Sequence, residues 1–312
     1  MRSAGRGSGM VSPEARARIQ EMFANRRLEE KQFPGGKPVE LKRRDWEAQS
    51  RLDVLPKGAR FHPVDAGGIK AEWMEMPLVD KSRVFLLLHG GGYNAGSPRT
   101  HRKMAAYLSR AAHARVLTPE YRLAPEHPFP AAVKDALRAY GWLLEQGTPE
   151  AQIVVGGDSA GGGLALSMLL ALREAGARMP RAAVLLSPWT DLSVSSATYE
   201  RLRKLDPVIS RERLGAAGRW YAGQRDLRDP MASPLFADAA GLPPLLIHAG
   251  GDETMLDDSR LFAERARAAG VDVTFTVYDG MWHVHHWGAP EVPESVAAYN
   301  DIAAFIRAQF GG

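Results

Sequence analysis

The 312-residue chain has no cysteine. That absence excludes a disulfide framework, a thiol nucleophile and a thiolate-bound metal. Long apolar runs are missing too: no stretch approaches the ~18 residues needed to cross a bilayer, so no membrane span is expected. Met1–Met10 is rich in Gly, Ser and Arg and holds no apolar segment of the kind a secretory signal requires. Residues 1–9 read as a disordered lead, with Met10 as an alternative start, and a cytoplasmic location is the expectation. Charge of one sign is also scarce. The formal net charge is +4, from 40 basic and 36 acidic residues. The basic excess sits in residues 1–60, which carry 14 Lys and Arg against 8 Asp and Glu. There Glu14, Glu21, Glu29 and Glu30 alternate with arginines, the pattern of a solvated helix face rather than a nucleic-acid or membrane patch. No nucleic-acid partner is expected.

What is present is an alternation of strands and helices. Ser12 followed by Pro13 marks a helix start, and Ile19, Met22, Phe23 and Leu28 give residues 12–32 an approximate apolar stripe. Pro34, Gly35, Gly36 and Pro38 break the chain, and a short helix is predicted over 43–49. Strands are predicted at 59–64, 69–76, 84–88, 116–119, 153–155, 183–187, 245–249 and 273–278. Helices are predicted at 100–112, 131–146, 162–173, 259–269 and 295–309. Such alternation implies an α/β fold, a mostly parallel sheet covered by helices on both faces. The interval from Asp191 to Pro244 interrupts the rhythm, holds a predicted helix over 210–221, and reads as an insertion packed with the amino-terminal helices.

Gly157-Asp158-Ser159-Ala160-Gly161 fits G-x-S-x-G, between an apolar strand and a helix. That setting makes a sharp turn exposing the serine hydroxyl, with glycines where side chains would clash. A hydroxyl is a weak nucleophile until a base removes its proton. His283 lies just past the strand 273–278, and Asp252 just past 245–249, at the strand ends where reacting groups gather. The order Ser159, Asp252, His283 suits a nucleophile, an orienting acid and a base. Asp191, Asp257 and Asp258 are rival acids, and His285 and His286 rival bases. A metal held by His283, His285 and His286 is disfavoured, because adjacent histidines converge poorly on one ion. No metal is expected. His89-Gly90-Gly91-Gly92 follows the strand 84–88 and supplies backbone N–H groups with no side chain in the way, as a tetrahedral oxyanion requires; the N–H of Ala160 is the second donor position. His89 is expected to brace this loop. Met22, Phe23, Tyr93, Trp220, Tyr221 and Trp282 are candidates for the substrate-pocket wall, with packing as the competing role.

Taken together, HGGG at 89–92, YRLAPEHPFPAA at 121–132, GDSAG at 157–161, SPWTDLS at 187–193, GGDETMLDD at 250–258 and GMWH at 280–283 resemble the bacterial hormone-sensitive-lipase-like esterases, a branch of the α/β-hydrolases. The resemblance spans about residues 85–285. It implies catalytic roles for Ser159, Asp252 and His283, and oxyanion donors at Gly91, Gly92 and Ala160. It implies a helical cap from residues 1–50 and an insertion at about 195–230, on a catalytic domain of 51–312. It further implies a small ester substrate with a short- to medium-chain acyl group, no cofactor, and a homodimer through the sheet edge. In the acid segment the family often has Asp-Pro where this chain has Asp252-Glu253, a form similar to a sub-branch with monoterpene lactone hydrolases. Lactone hydrolysis and amide deacetylation by the same residues are the alternatives. A non-catalytic receptor, as in the related gibberellin-receptor branch, is a third.

Overall fold

In the computed structural model, residues 11–311 are described. The expected lead, residues 1–9, and Met10 lie outside them. Two helices, α1 (Pro13–Gln32) and α2 (Val39–Ser50), precede the sheet. The strands are β1 (Arg60–Asp65), β2 (Lys70–Glu75), β3 (Asp80–Leu88), β4 (Ala114–Pro119), β5 (Ile153–Asp158), β6 (Ala182–Leu186), β7 (Leu245–Gly250) and β8 (Val273–Tyr278). Between and after them run α3 (Arg102–Ala112), α4 (Ala131–Glu145), α5 (Ala160–Glu174), α6 (Thr198–Arg201), α7 (Arg211–Ala222), α8 (Leu256–Ala268) and α9 (Pro293–Phe310). The eight strands form one sheet in the order β1-β2-β4-β3-β5-β6-β7-β8. The pairings from β4 through β8 are parallel, and the β1–β2 and β2–β4 pairings are antiparallel.

Side chains alternate across a strand, so one apolar run serves two cores. Leu86 and Leu88 of β3 join Val155, Leu185 and Ile247 on the side of α4, α5 and α8. Phe85 and Leu87 join Val154, Val184 and Leu246 on the side of α3 and α9. Each fully buried side chain of this kind stabilises the fold by roughly 1.5–3 kcal/mol. This double burial explains why the central strands read as continuous apolar runs.

Several elements differ from the sequence pattern: α6 was not predicted, and β5 runs on from the predicted residue 155 to Asp158. The helix α2 begins at Val39, earlier than the predicted residue 43, and buries no residue fully, so periodicity could not mark its start. The strand β3 begins at Asp80; its first turns of chain are polar and partly exposed, and a register shift between Asp80 and Val84 separates them from the apolar half. The helix α8 starts at Leu256 and not at Ser259, placing Asp257 and Asp258 inside its first turn. In α1 the expected stripe is shallow: Ala15 is its buried residue and Leu28 is 66% exposed. What holds α1 is its end. Ser12 accepts from the Ala15 N–H at 3.1 Å, and its own N–H and hydroxyl donate to Glu294 of α9 at 2.7 and 2.8 Å.

Candidate active site

The turn from β5 to α5 places Ser159. Its backbone has φ +54° and ψ −122°, a conformation that L-residues rarely adopt and that its neighbours must impose. The Ser159 N–H donates to Leu186 O at 2.8 Å, and its carbonyl accepts from the Trp189 N–H at 2.9 Å. The flanking glycines are required by close approach: a methyl on Gly157 or Gly161 would lie 2.3 or 1.9 Å from Leu88 O. The two neighbouring strands thus grip the turn from both sides.

His283 arrives from the segment after β8. Its Nε2 lies 2.9 Å from Ser159 Oγ, and its Nδ1 lies 3.1 Å from Glu253 Oε2. The carboxylate that meets His283 is therefore Glu253 and not Asp252, the residue that the order along the sequence favours. The segment after β7 is held at both sides of this residue. The Asp252 N–H donates to Met281 O at 3.0 Å, and the Thr254 N–H donates to Asp206 Oδ2 at 2.8 Å. Glu253 points inward with 0% exposure, whereas Asp252 stays half-buried and faces the charges of Asp279 and Asp206. The extra methylene of glutamate spans the remaining distance to the imidazole. Burial alone would lower the pKa of His283, but the hydrogen bond and charge of Glu253, helped by Asp206 and Asp158, outweigh it and raise it above 6.5. Burial likewise pushes the Glu253 carboxyl up, partly opposed by His283 and Ser187. An orienting carboxylate of this kind fixes the imidazole tautomer that leaves Nε2 free to take the serine proton.

The loop after β3 lies beside the serine turn, because Leu88 pairs with Gly157 across the sheet. The Gly90 N–H donates to Asp158 Oδ1 at 2.9 Å. Gly91 and Gly92 have φ of +123° and +67°, and among the described residues their N–H groups make no hydrogen bond. Ala160 is the first residue of α5, where the N–H has no intrahelical acceptor. His89 braces the loop as expected: its ring stacks on Tyr121 at 4.1 Å, and the Tyr121 hydroxyl donates to His89 O at 2.6 Å.

Residues 85–287 match a family model described as the alpha/beta hydrolase fold. The chain is 44% identical over 265 residues to an acetyl-hydrolase of Streptomyces hygroscopicus, covering 85% of this chain and 87% of that one. It is 36% identical over 248 residues to an esterase of Acinetobacter venetianus, covering 79% and 81%. A solved esterase of the bacterial hormone-sensitive lipase family superposes with a TM-score of 0.90 at 43% identity, over 96% of this chain and 99% of that one. The chain belongs to the bacterial hormone-sensitive-lipase family. It is a carboxylesterase on the α/β-hydrolase fold.

Within this esterase the rival acids have other partners. Asp258 accepts from the Thr190 and Asp191 N–H groups, both at 3.0 Å. Asp191 caps its own loop, accepting from Ser193 and Ser195. Asp257 pairs with Arg260 at 3.0 Å. The rival bases His285 and His286 are buried in a ring stack with His248 and do not contact Ser159. Of the pocket candidates, Tyr93 and Tyr221 are fully buried and stacked at 3.6 Å, and the Tyr93 hydroxyl would lie 2.8 Å from a methyl on Gly163 in the first turn of α5. Met22 and Trp282 pack together with Ala15, Met281 and Val292 beneath α1. Phe23 is half-buried on α1, and Trp220 is 42% exposed on α7. Sequence reasoning passed over Glu253, visible only as the residue after the expected aspartate. It also passed over Ser187, whose hydroxyl accepts from the Val284 N–H at 3.1 Å and so holds the histidine segment. Asp206 was missed as well; no motif marks it, yet it ties the insertion to the acid segment through Thr254.

Proposed function

We propose that this esterase cleaves short- to medium-chain acyl esters through an acyl-enzyme, with Ser159 as nucleophile, His283 as base and Glu253 as the acid that orients it. The observation that carries this reading is the continuous contact from Glu253 through His283 to Ser159 Oγ, at 3.1 and 2.9 Å. Ser159 Oγ attacks the ester carbonyl carbon as its proton passes to His283 Nε2. The carbonyl oxygen becomes an oxyanion, received by the N–H groups of Gly91, Gly92 and Ala160. Collapse expels the alcohol, which takes the proton from His283. Water then attacks the acyl group by the same route and frees the acid and Ser159. Glu253 stabilises the imidazolium at each crossing.

A short acyl group suits the aromatic cluster next to the serine helix, where Tyr93 stacks on Tyr221 at 3.6 Å and tilts against Trp189 at 5.7 Å. The amino-terminal helices and the 195–230 insertion act as the cap, joined to each other by Arg26 donating to Asp206 O and Ile209 O and by Arg213 pairing with Glu29. A second reading, removal of acetyl groups, is favoured by the acetyl-hydrolase relative. The test is initial rates on p-nitrophenyl esters from acetate to palmitate, with Ser159→Ala alongside. Highest turnover on the short and middle chains, lost in the variant, is expected. Equal turnover in the variant, or a preference for palmitate, would overturn the proposal.

A further inference from the structure

The cap helix α2 lies across the oxyanion loop and touches it along its length. Arg43 Nε donates to Asn94 O at 2.7 Å, one terminal nitrogen donates to Ala124 O at 2.8 Å, and both terminal nitrogens reach Glu126. Trp46 fills the space beside Gly91 and tilts against His101 at 5.5 Å, and Glu47 accepts from the Ser97 hydroxyl. Lys42 differs from these in its target. Its Nζ donates to Gly91 O at 3.3 Å and to Asn94 Oδ1 at 2.9 Å.

Gly91 C=O and Gly92 N–H belong to one planar peptide, and in a trans peptide they point in opposite directions. A donor fixed on the oxygen therefore fixes the line of the N–H. A positive charge on that oxygen also draws electron density from the nitrogen and strengthens the N–H as a donor, as in any polarised hydrogen-bond chain. Among the described residues Lys42 forms no ion pair. The carboxylate it feels most, Glu29 of α1, is held by Arg213 of α7 and by Lys37. Arg213 and Arg43 act on it as like charges, and a methyl on Gly92 would lie 3.8 Å from Ala217 Cβ of α7 and 4.0 Å from Lys42 Nζ.

We propose that Lys42, supplied by the cap, is a positioning residue for the ester reaction: it aims and polarises the Gly91–Gly92 peptide so that the Gly92 N–H receives the oxyanion. The inference rests on the esterase reading above and deepens it. Burial, with the like charges of Arg213 and Arg43 and against the pull of Glu29, lowers the Lys42 pKa to about 8. The cation is thus present below that pH and lost above it, and kcat/KM should fall as pH rises through about 8.

The experiment compares wild type, Lys42→Met, Lys42→Arg and Ser159→Ala on p-nitrophenyl butyrate across pH 6–10, with a trifluoromethyl ketone as transition-state mimic. Lys42→Met is expected to lose about ten-fold in kcat/KM, less than the ~100-fold or more for deleting an oxyanion donor outright. The loss should lie in kcat, be matched by weaker ketone inhibition, and remove the alkaline fall. Lys42→Arg, which stays charged, should retain most activity and extend the plateau above pH 8. An unchanged kcat in Lys42→Met overturns the proposal, as does a loss confined to KM or an Arg variant as impaired as Met. A wild type no faster than Ser159→Ala overturns the esterase reading instead.

Discussion

A carboxylate bound to one imidazole nitrogen acts on the other nitrogen, so replacing it is felt at the serine. Glu253→Gln is expected to lower kcat by about 10,000-fold, because the neutral amide no longer stabilises the imidazolium and permits the wrong tautomer. Asp252→Asn should stay within a few-fold of wild type, since the Asp252 carboxylate does not meet His283. Steady-state kinetics of the two variants decide between them, and the reverse ranking would return the acid role to Asp252. The pH profile gives an independent reading. Base catalysis needs neutral His283, and its pKa is raised, so wild-type kcat/KM should fall with acid at a pH above 6.5. Removing the Glu253 charge removes the cause of that rise, and the residual activity of Glu253→Gln should persist to lower pH.

At the scale of elements, the site depends on how closely β3, β5 and α5 approach. Gly161 lies in the first turn of α5, and any side chain there meets Leu88 O and the backbone of His89. Gly161→Ala is therefore expected to cost ~4 kcal/mol or more, at the severe end of single substitutions, because backbone on the facing strand cannot give way as a flexible side chain can. Thermal unfolding checks this; a melting temperature near wild type would show that the turn is less tightly gripped than the contacts imply. The element boundaries most legible in the sequence were those with buried faces, such as β7, read at 245–249 and observed at Leu245–Gly250 with every residue buried. The start of α2 was not, because α2 packs on the loop after β3 through Lys42, Arg43 and Trp46, residues that read as solvated or isolated along the chain.

Across the whole molecule, His89, His248, His285 and His286 are buried and held neutral. Burial lowers His89 and His285 to about 3 and His248 to about 4, and takes His286 well below 6.5. The unfolded chain binds protons at these positions below pH 6.5 and the native state does not, so stability is retained above that pH and falls as pH drops. At pH 5 His89, His248 and His285 each cost about 2 kcal/mol, and His286 acts in the same direction. Asp258, whose carboxyl is pushed up by burial and by Asp191, acts in the opposite sense and offsets part of the loss. Three such costs already approach the ~5–15 kcal/mol that holds a typical domain together. Denaturant unfolding is expected to show steep loss of stability between pH 6.5 and 5. His285→Leu, removing an imidazole whose two nitrogens have no hydrogen-bond partner among the described residues, should make that dependence shallower by about one proton. An unchanged slope would show that His285 is protonated in the native state.

The sequence by itself determined the alternating strands and helices, the glycine-flanked serine turn, the HGGG loop and the histidine after β8. These features are local: a turn needs its glycines within a few residues, and a strand buried on both faces shows as an apolar run. Tertiary structure decided the rest. Asp252 and Glu253 are both acids at one strand end, and only the hydrogen bonds to Met281 and Asp206 settle which one turns inward. Lys42 and Gly91 stand 49 residues apart, and nothing in the composition of α2 reveals that its lysine meets a glycine carbonyl. Which groups meet across such distances depends on the packing of whole elements, and no spacing along the chain records it.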